Sequence, residues 1–177
     1  MASFILARNV KPTPDQARID LRPEDSDTRE RLAKVLSFDM LSKTIENGAR
    51  YTLTFEGVQT EAQLDGYFEV YLGLPRDSKP DPDSPYYVGN LTFFGTDEES
   101  RRSARGGHAG HGDFGTSITL DVTEPLKRLV ERRDLKNEMT VTLVPMGVSK
   151  SPNERFSFDA KANPRIDAIL LKIEKDE

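Results

Sequence analysis

Apolar and polar residues alternate with a period of two along most of the chain beyond residue 50. Segments with this pattern lie at residues 51–55, 68–72, 118–122 and 139–143, and two further apolar segments lie at 87–94 and 166–173. A period of two matches the side chains of a β-strand, so the pattern predicts six strands, with a weaker candidate at 156–158. Each strand has one apolar face that a second sheet must cover, which predicts an antiparallel β-sandwich.

The inward positions of these strands define the expected core. One short helix interrupts the strands after residue 122: Thr123 is its expected N-cap, and its apolar stripe comprises Leu126, Leu129 and Val130. The predicted fold class is therefore all-β, a jelly-roll-like sandwich with one crossover helix. The expected core residues are Leu53, Phe55, Phe68, Val70, Leu91, Leu120, Val141 and Leu143.

Residues 1–48 have a different pattern, in which prolines separate short apolar segments. A short strand is expected at 17–21. A helix is expected at about 27–36, with Ser26 as its N-cap and an apolar face formed by Leu32, Val35 and Leu36. We interpret residues 1–48 as an N-terminal arm or linker and residues 49–177 as the sandwich domain.

Composition narrows the function classes. The net charge of −5 disfavours nucleic-acid binding, which requires clustered Lys and Arg. The first residues do not resemble a signal peptide, and no apolar segment approaches the roughly 20 residues of a membrane span, so we expect a cytoplasmic protein. The chain has no cysteine, which excludes disulfides and thiolate chemistry.

The two histidines, His108 and His111, lie in a glycine-rich segment with Asp113 nearby. Such a trio offers imidazole and carboxylate ligands to copper or zinc. The alternative is a solvated loop whose glycines serve the backbone conformation. No cofactor is required on either interpretation, and the first predicts weak copper binding.

The preceding segment, residues 97–105, is strongly charged and carries Arg101, Arg102 and Arg105. A charged segment is usually a solvated loop, and exposed arginines in such a loop are preferred cleavage sites for proteases. The sequence shows no nucleophile–base pair and no carboxylate couple, so we do not expect an enzyme. A sugar-binding sandwich would have to use tyrosine and phenylalanine, because the chain has no tryptophan.

Several segments together resemble the C-terminal domain that follows the dicopper domain in plant and bacterial polyphenol oxidases of the tyrosinase type. Residues 51–58 resemble its opening strand, which ends in a Glu-Gly turn. Residues 67–72 resemble the strand bearing the Lys-Phe-Asp-Val signature, with Tyr67 and Glu69 replacing Lys and Asp. The further similar segments, in the same order along the chain, are 87–91, 107–112, 117–129 and 139–145.

The resemblance implies a sandwich that packs over the dicopper site of a tyrosinase or catechol oxidase and keeps it latent until the domain is removed. That chemistry needs six histidines, and this chain has two. The expected role is therefore shielding or chaperone-like, with the dicopper catalytic domain, on the same or a separate chain, as the partner. Two alternatives remain open: a copper-delivery module using His108 and His111, and a generic sandwich that binds a protein or sugar.

Overall fold

The computed structural model describes residues 2–94, 96–97, 116–132, 139–148 and 156–175. Within these residues the chain forms eight strands, three α-helices and one short 3-10 helix, Ala160–Ala162. The strands are β1 Ala2–Val10, β2 Ala17–Leu21, β3 Ala49–Val58, β4 Tyr67–Leu72, β5 Tyr87–Thr92, β6 Thr116–Asp121, β7 Met139–Met146 and β8 Ile166–Lys175. The helices are α1 Ser26–Val35, α2 Phe38–Glu46 and α3 Thr123–Glu131.

The strands form two four-stranded sheets in which every pairing is antiparallel. The first sheet has the order β1-β8-β3-β6, and the second has the order β2-β7-β4-β5. Their inward side chains form one hydrophobic cluster between the sheets. The predicted all-β antiparallel sandwich is confirmed.

The expected core is largely confirmed. Seven of the eight predicted core residues are fully buried, and Leu120 is the exception because β6 is an edge strand of the first sheet. Leu120 is half-buried, and its side chain lies close to Gly89 of β5. The weaker strand candidate at 156–158 is wrong, since these residues have no strand conformation. Phe158 instead packs its ring edge-on against Phe68, with the ring centroids 5.5 Å apart.

The first 48 residues contribute to both sheets. β1 pairs with β8, and β2 pairs with β7, so each sheet takes one edge strand from the segment interpreted as an arm. The strand expected at 17–21 and the helix expected at 27–36 are both present as β2 and α1. β1 and α2 are additional elements that the periodicity did not indicate.

Both helix caps differ from expectation. Asp25, not Ser26, caps α1, because its Oδ1 atom accepts a hydrogen bond from the backbone N–H of Thr28 at 2.7 Å. α3 begins at Thr123, whose backbone N–H donates to Asp121 at 2.8 Å. The Thr123 hydroxyl accepts from the backbone N–H of Tyr51 at 2.9 Å and so joins the helix start to β3.

Candidate functional site

The residues predicted to bind metal or to be cleaved by proteases all lie outside the described residues. They are His108, His111 and Asp113 for the metal, and Arg101, Arg102 and Arg105 for cleavage. The described parts of the chain contain no group of three or more His, Cys, Asp or Glu side chains placed to hold a metal ion. Within the same residues no helix has the length and apolar character needed to cross a membrane.

Two apolar side chains project from one end of the second sheet. Phe94 is 90% exposed, and Val148 is 91% exposed. Thr92 of β5 and Met146 of β7 both pair with Tyr67 of β4. Phe94 and Val148 each follow their strand by two residues, so the chain positions them on either side of β4. We refer to Phe94 and Val148 as the apolar tip.

The backbone at Phe94 is anchored by its neighbour Phe93. Phe93 is buried, and its ring meets the ring of Phe68 edge-on at a centroid distance of 5.6 Å. The Phe93 carbonyl accepts hydrogen bonds from the Thr96 backbone N–H at 3.2 Å and from the Thr96 hydroxyl at 2.7 Å. The exposed ring of Phe94 therefore adjoins a position fixed in the core.

Val148 also follows a closely packed position. The ring of Phe156 fills the space into which a Cβ at Gly66 or Gly147 would project. Because only glycine leaves room for this ring, Gly66 and Gly147 form a slot that holds Phe156 against the second sheet. The apolar tip is thus flanked by close packing on the β7 side as well as on the β5 side.

The outer face of the second sheet carries a polar and aromatic cluster. Glu69 is only 7% exposed, and the hydroxyl of Tyr71 donates to its Oε2 atom at 2.6 Å. Tyr87 of β5 packs its ring edge-on against Tyr71 at 5.6 Å, and its hydroxyl donates to Asn90 at 2.9 Å. Tyr67 lies on the same face, two residues before Glu69 on β4. We refer to Tyr67, Glu69, Tyr71, Tyr87 and Asn90 as the tyrosine face.

Burial and the charge of Glu69 keep the phenols of Tyr71 and Tyr87 protonated. Burial raises the pKa of Tyr71 above the ordinary value of 10.0, and the bond to Glu69 raises the pKa further because the carboxylate holds the phenolic proton. Burial, followed by the charge of Glu69, also raises the pKa of Tyr87. Both hydroxyls therefore act as hydrogen-bond donors, and neither is activated as a nucleophile.

Residues 73–86 connect β4 to β5 beside the tyrosine face. The connection begins at Gly73, where φ is +67° and the backbone N–H donates to the Thr140 carbonyl at 2.8 Å. The Arg18 guanidinium donates to the Leu74 carbonyl at 2.7 Å, which ties the connection to β2. The backbone N–H of Leu72 closes the other end by donating to Tyr86 at 2.7 Å. These bonds fix both ends of the proline-rich connection to the sheet.

Sequence reasoning did not identify the apolar tip or the tyrosine face as sites. Phe94 was expected to continue a strand, but β5 ends at Thr92. The signal for the tyrosine face was present in the outward positions of β4, where Tyr67, Glu69 and Tyr71 follow one another at a spacing of two.

Comparison with protein families gives one match. A model described as "Domain of unknown function (DUF7868)" matches residues 7–154. No curated protein matches the sequence.

Similar solved structures include two latent oxidases. A latent aurone synthase, a polyphenol oxidase from natural source, aligns with 98% of this chain at 13% identity and a TM-score of 0.45. A latent apple tyrosinase aligns with 98% of this chain at 16% identity and a TM-score of 0.44. The chain spans 26% and 28% of the length of those two proteins.

Proposed function

The chain belongs to the DUF7868 family of domains, and we propose that it is a non-catalytic shielding domain that covers the dicopper site of a tyrosinase-like polyphenol oxidase. The observation that carries the proposal is the series of segments, in the same order along the chain, that resemble the C-terminal domain of those oxidases. A single short motif would be weak support, whereas order and spacing together restrict the alternatives.

The positions of those segments in the fold add support. The segment at 51–58 lies in β3, the signature-like segment at 67–72 is β4, and the segment at 139–145 lies in β7. Phe68, the aromatic residue of the signature, is fully buried and contacts both Phe93 and Phe158 edge-on. Three of the segments that resemble the oxidase domain are therefore strands on which this core is built.

The proposed contact with the oxidase is the apolar tip. Single exposed apolar side chains are common on protein surfaces. Aromatic residues, however, are enriched in the buried centres of protein–protein interfaces. Phe94 combines near-complete exposure with an anchored neighbour, which lowers the entropy lost when its ring enters a partner's cavity. We propose that Phe94 occupies the substrate entrance of the oxidase and that Val148 packs beside it.

If this chain is a shielding domain, its partner, the dicopper catalytic domain, carries out the redox chemistry. The oxidase reaction uses two copper ions held by six histidines, and this chain contributes two histidines in all. The catalytic domain that supplies the copper site is proposed to lie on the same polypeptide or on a separately encoded chain. The proposed shielding domain needs no cofactor of its own.

The experiment that tests this function is complex formation with a defined oxidase. A six-histidine tyrosinase-like oxidase, sought first in a reading frame continuous with or adjacent to this one, is expressed without any C-terminal domain and mixed with this chain. We expect co-elution as a one-to-one complex in size-exclusion chromatography with light scattering. Separate elution of the two folded proteins at micromolar concentrations would contradict the proposal.

A further inference from the structure

Two buried threonines join the loop after β3 to the segment that carries Phe94. Thr60 lies two residues beyond the end of β3, and Thr96 lies two residues beyond Phe94. Each threonine is only 1% exposed, and the two Oγ1 atoms are 3.3 Å apart. The backbone N–H of Thr60 also donates to the Thr96 carbonyl at 3.3 Å. The two segments are therefore joined by a backbone bond and a side-chain bond.

The direction of the bond between the two hydroxyls follows from their protons. A threonine hydroxyl has one proton to donate. The Thr96 hydroxyl donates its proton to the Phe93 carbonyl at 2.7 Å. Thr96 must therefore accept from the hydroxyl of Thr60, so the bonds run in series from Thr60 through Thr96 to Phe93. The series ends on the residue directly before Phe94.

These bonds tie the backbone at Phe94 to both sheets. Phe94 follows β5 of the second sheet, whereas Thr60 follows β3 of the first sheet. The loop after β3 is itself fixed, because Gln59 and Arg165 exchange two backbone bonds, at 3.0 and 2.8 Å. A backbone that is held from both sheets is ordered before binding, so less entropy is lost when the Phe94 ring enters a cavity.

We propose that Thr60 and Thr96 are positioning residues for Phe94 and that their hydroxyls increase the potency with which this chain inhibits the oxidase. This inference rests on the shielding function proposed above. Both threonines are buried, so neither offers the oxidase a contact surface of its own. They act through the backbone at Phe93, and the ring of Phe94 makes the contact.

The test replaces both hydroxyls by methyl groups, as Thr60→Val combined with Thr96→Val. Valine has nearly the shape of threonine, and the double change leaves neither hydroxyl buried without its partner, so the fold should be retained. The order parameter of the Phe94 backbone N–H, measured by NMR relaxation, should fall from about 0.85 toward about 0.6. The concentration of chain that half-inhibits catechol oxidation should rise by about twofold to tenfold.

The matched control is Thr54→Val combined with Thr119→Val. Thr54 is also 1% exposed, and its hydroxyl pairs with that of Thr119 at the same distance of 3.3 Å, but between β3 and β6. This control should change neither the order parameter at Phe94 nor the inhibition. Thr60→Ser combined with Thr96→Ser keeps both hydroxyls and should restore the wild-type values of both measurements.

The order parameter is measured on the chain alone, so it tests the positioning role without the oxidase. An unchanged order parameter at Phe94 in the valine variant, or an equal fall in the Thr54 control, would overturn the positioning role even if the chain inhibits the oxidase. A lower order parameter with unchanged inhibition would overturn the link to potency. Failure of the wild-type chain to inhibit at all would instead contradict the shielding function, and the order parameter would still decide the positioning role.

Discussion

The side chain of Asp167 packs directly on the backbone of Gly57. Gly57 lies in a bulge of β3, where the pairing with β6 shifts register between Phe55 and Val58, and its φ is +65°. A Cβ at residue 57 would overlap the carboxyl group of Asp167, and the positive φ would strain any L side chain. The glycine of the Glu-Gly turn at residues 56–57 is therefore required by packing as well as by backbone conformation.

Gly57→Ala should therefore destabilise the fold more than alanine at another glycine of positive φ. Gly48 is the matched control, because its φ is +79° and nothing lies within 4 Å of the added Cβ. Gly48→Ala should cost about 1 kcal/mol from backbone strain alone. Gly57→Ala adds the overlap with Asp167 and should cost about 2–4 kcal/mol in total. Equal losses in urea unfolding would show that Asp167 moves away without cost.

Phe68→Ala tests the centre of the sandwich. Phe68 is fully buried and contacts two other aromatic rings, so its truncation should cost about 3–5 kcal/mol. Phe38→Ala removes a largely exposed ring and should change the free energy of unfolding by less than about 0.5 kcal/mol. Denaturant unfolding of both variants checks the prediction. A loss below about 1 kcal/mol for Phe68→Ala would be incompatible with the core described above.

Tyr71 should make stability depend on pH in the alkaline range. Its pKa is raised above 10.0 in the folded chain, so below that pH both the folded and unfolded states keep the phenolic proton. Above about pH 10 the unfolded chain releases the proton while the folded chain retains it, so stability falls as pH rises.

Tyr71→Phe removes this dependence on one proton. Above about pH 10 the free energy of unfolding of the variant should fall less steeply with pH than that of the wild type. The two slopes should differ by up to about 1.4 kcal/mol per pH unit. At neutral pH it should be less stable by about 1–3 kcal/mol, because the buried Glu69 carboxylate loses its donor. Tyr87→Phe is the control at neutral pH, since the exposed Asn90 can replace the lost bond with water. If the free energy of unfolding falls equally steeply with alkaline pH in the wild type and in Tyr71→Phe, then Tyr71 is not the source of the pH dependence.

The strands that the sequence predicted correctly are those whose inward side chains repeat at a spacing of two, such as Leu53 and Phe55 of β3. β1 escaped prediction because a register shift between Ile5 and Ala7 interrupts its alternation, and Asn9 adopts a φ of +51°. Asp25 and Ser26 are both favourable cap residues, so the choice between them depends on the backbone path.

The tyrosine face shows a different limit of prediction. Glu69 and Tyr71 occupy the polar positions of an alternating strand, so the pattern places them on the outer face, where exposure is the expectation. Both are nevertheless buried, and they satisfy each other by a hydrogen bond. Burial of an outer face depends on which segments pack against it, and periodicity along one strand carries no information about that.

The copper-delivery alternative makes a separate prediction. If His108, His111 and Asp113 form a site, the chain should bind Cu(II) in the micromolar range or more weakly, because ordering a glycine-rich segment costs about 1–2 kcal/mol per residue fixed. Binding should fade below about pH 6 as the imidazoles become protonated. Calorimetry on the wild type and on His108→Ala combined with His111→Ala decides it. The double substitution should leave the fold intact. Identical titrations for the two proteins would rule out the copper-delivery alternative.

The most direct test of the shielding proposal is the rate of catechol oxidation by the six-histidine oxidase, measured as this chain is added. The account predicts that saturating chain lowers the rate by at least about tenfold, that Phe94→Ala relieves most of the inhibition, and that Phe38→Ala inhibits like the wild type. An oxidation rate that stays unchanged at saturating concentrations of the folded chain would contradict the account.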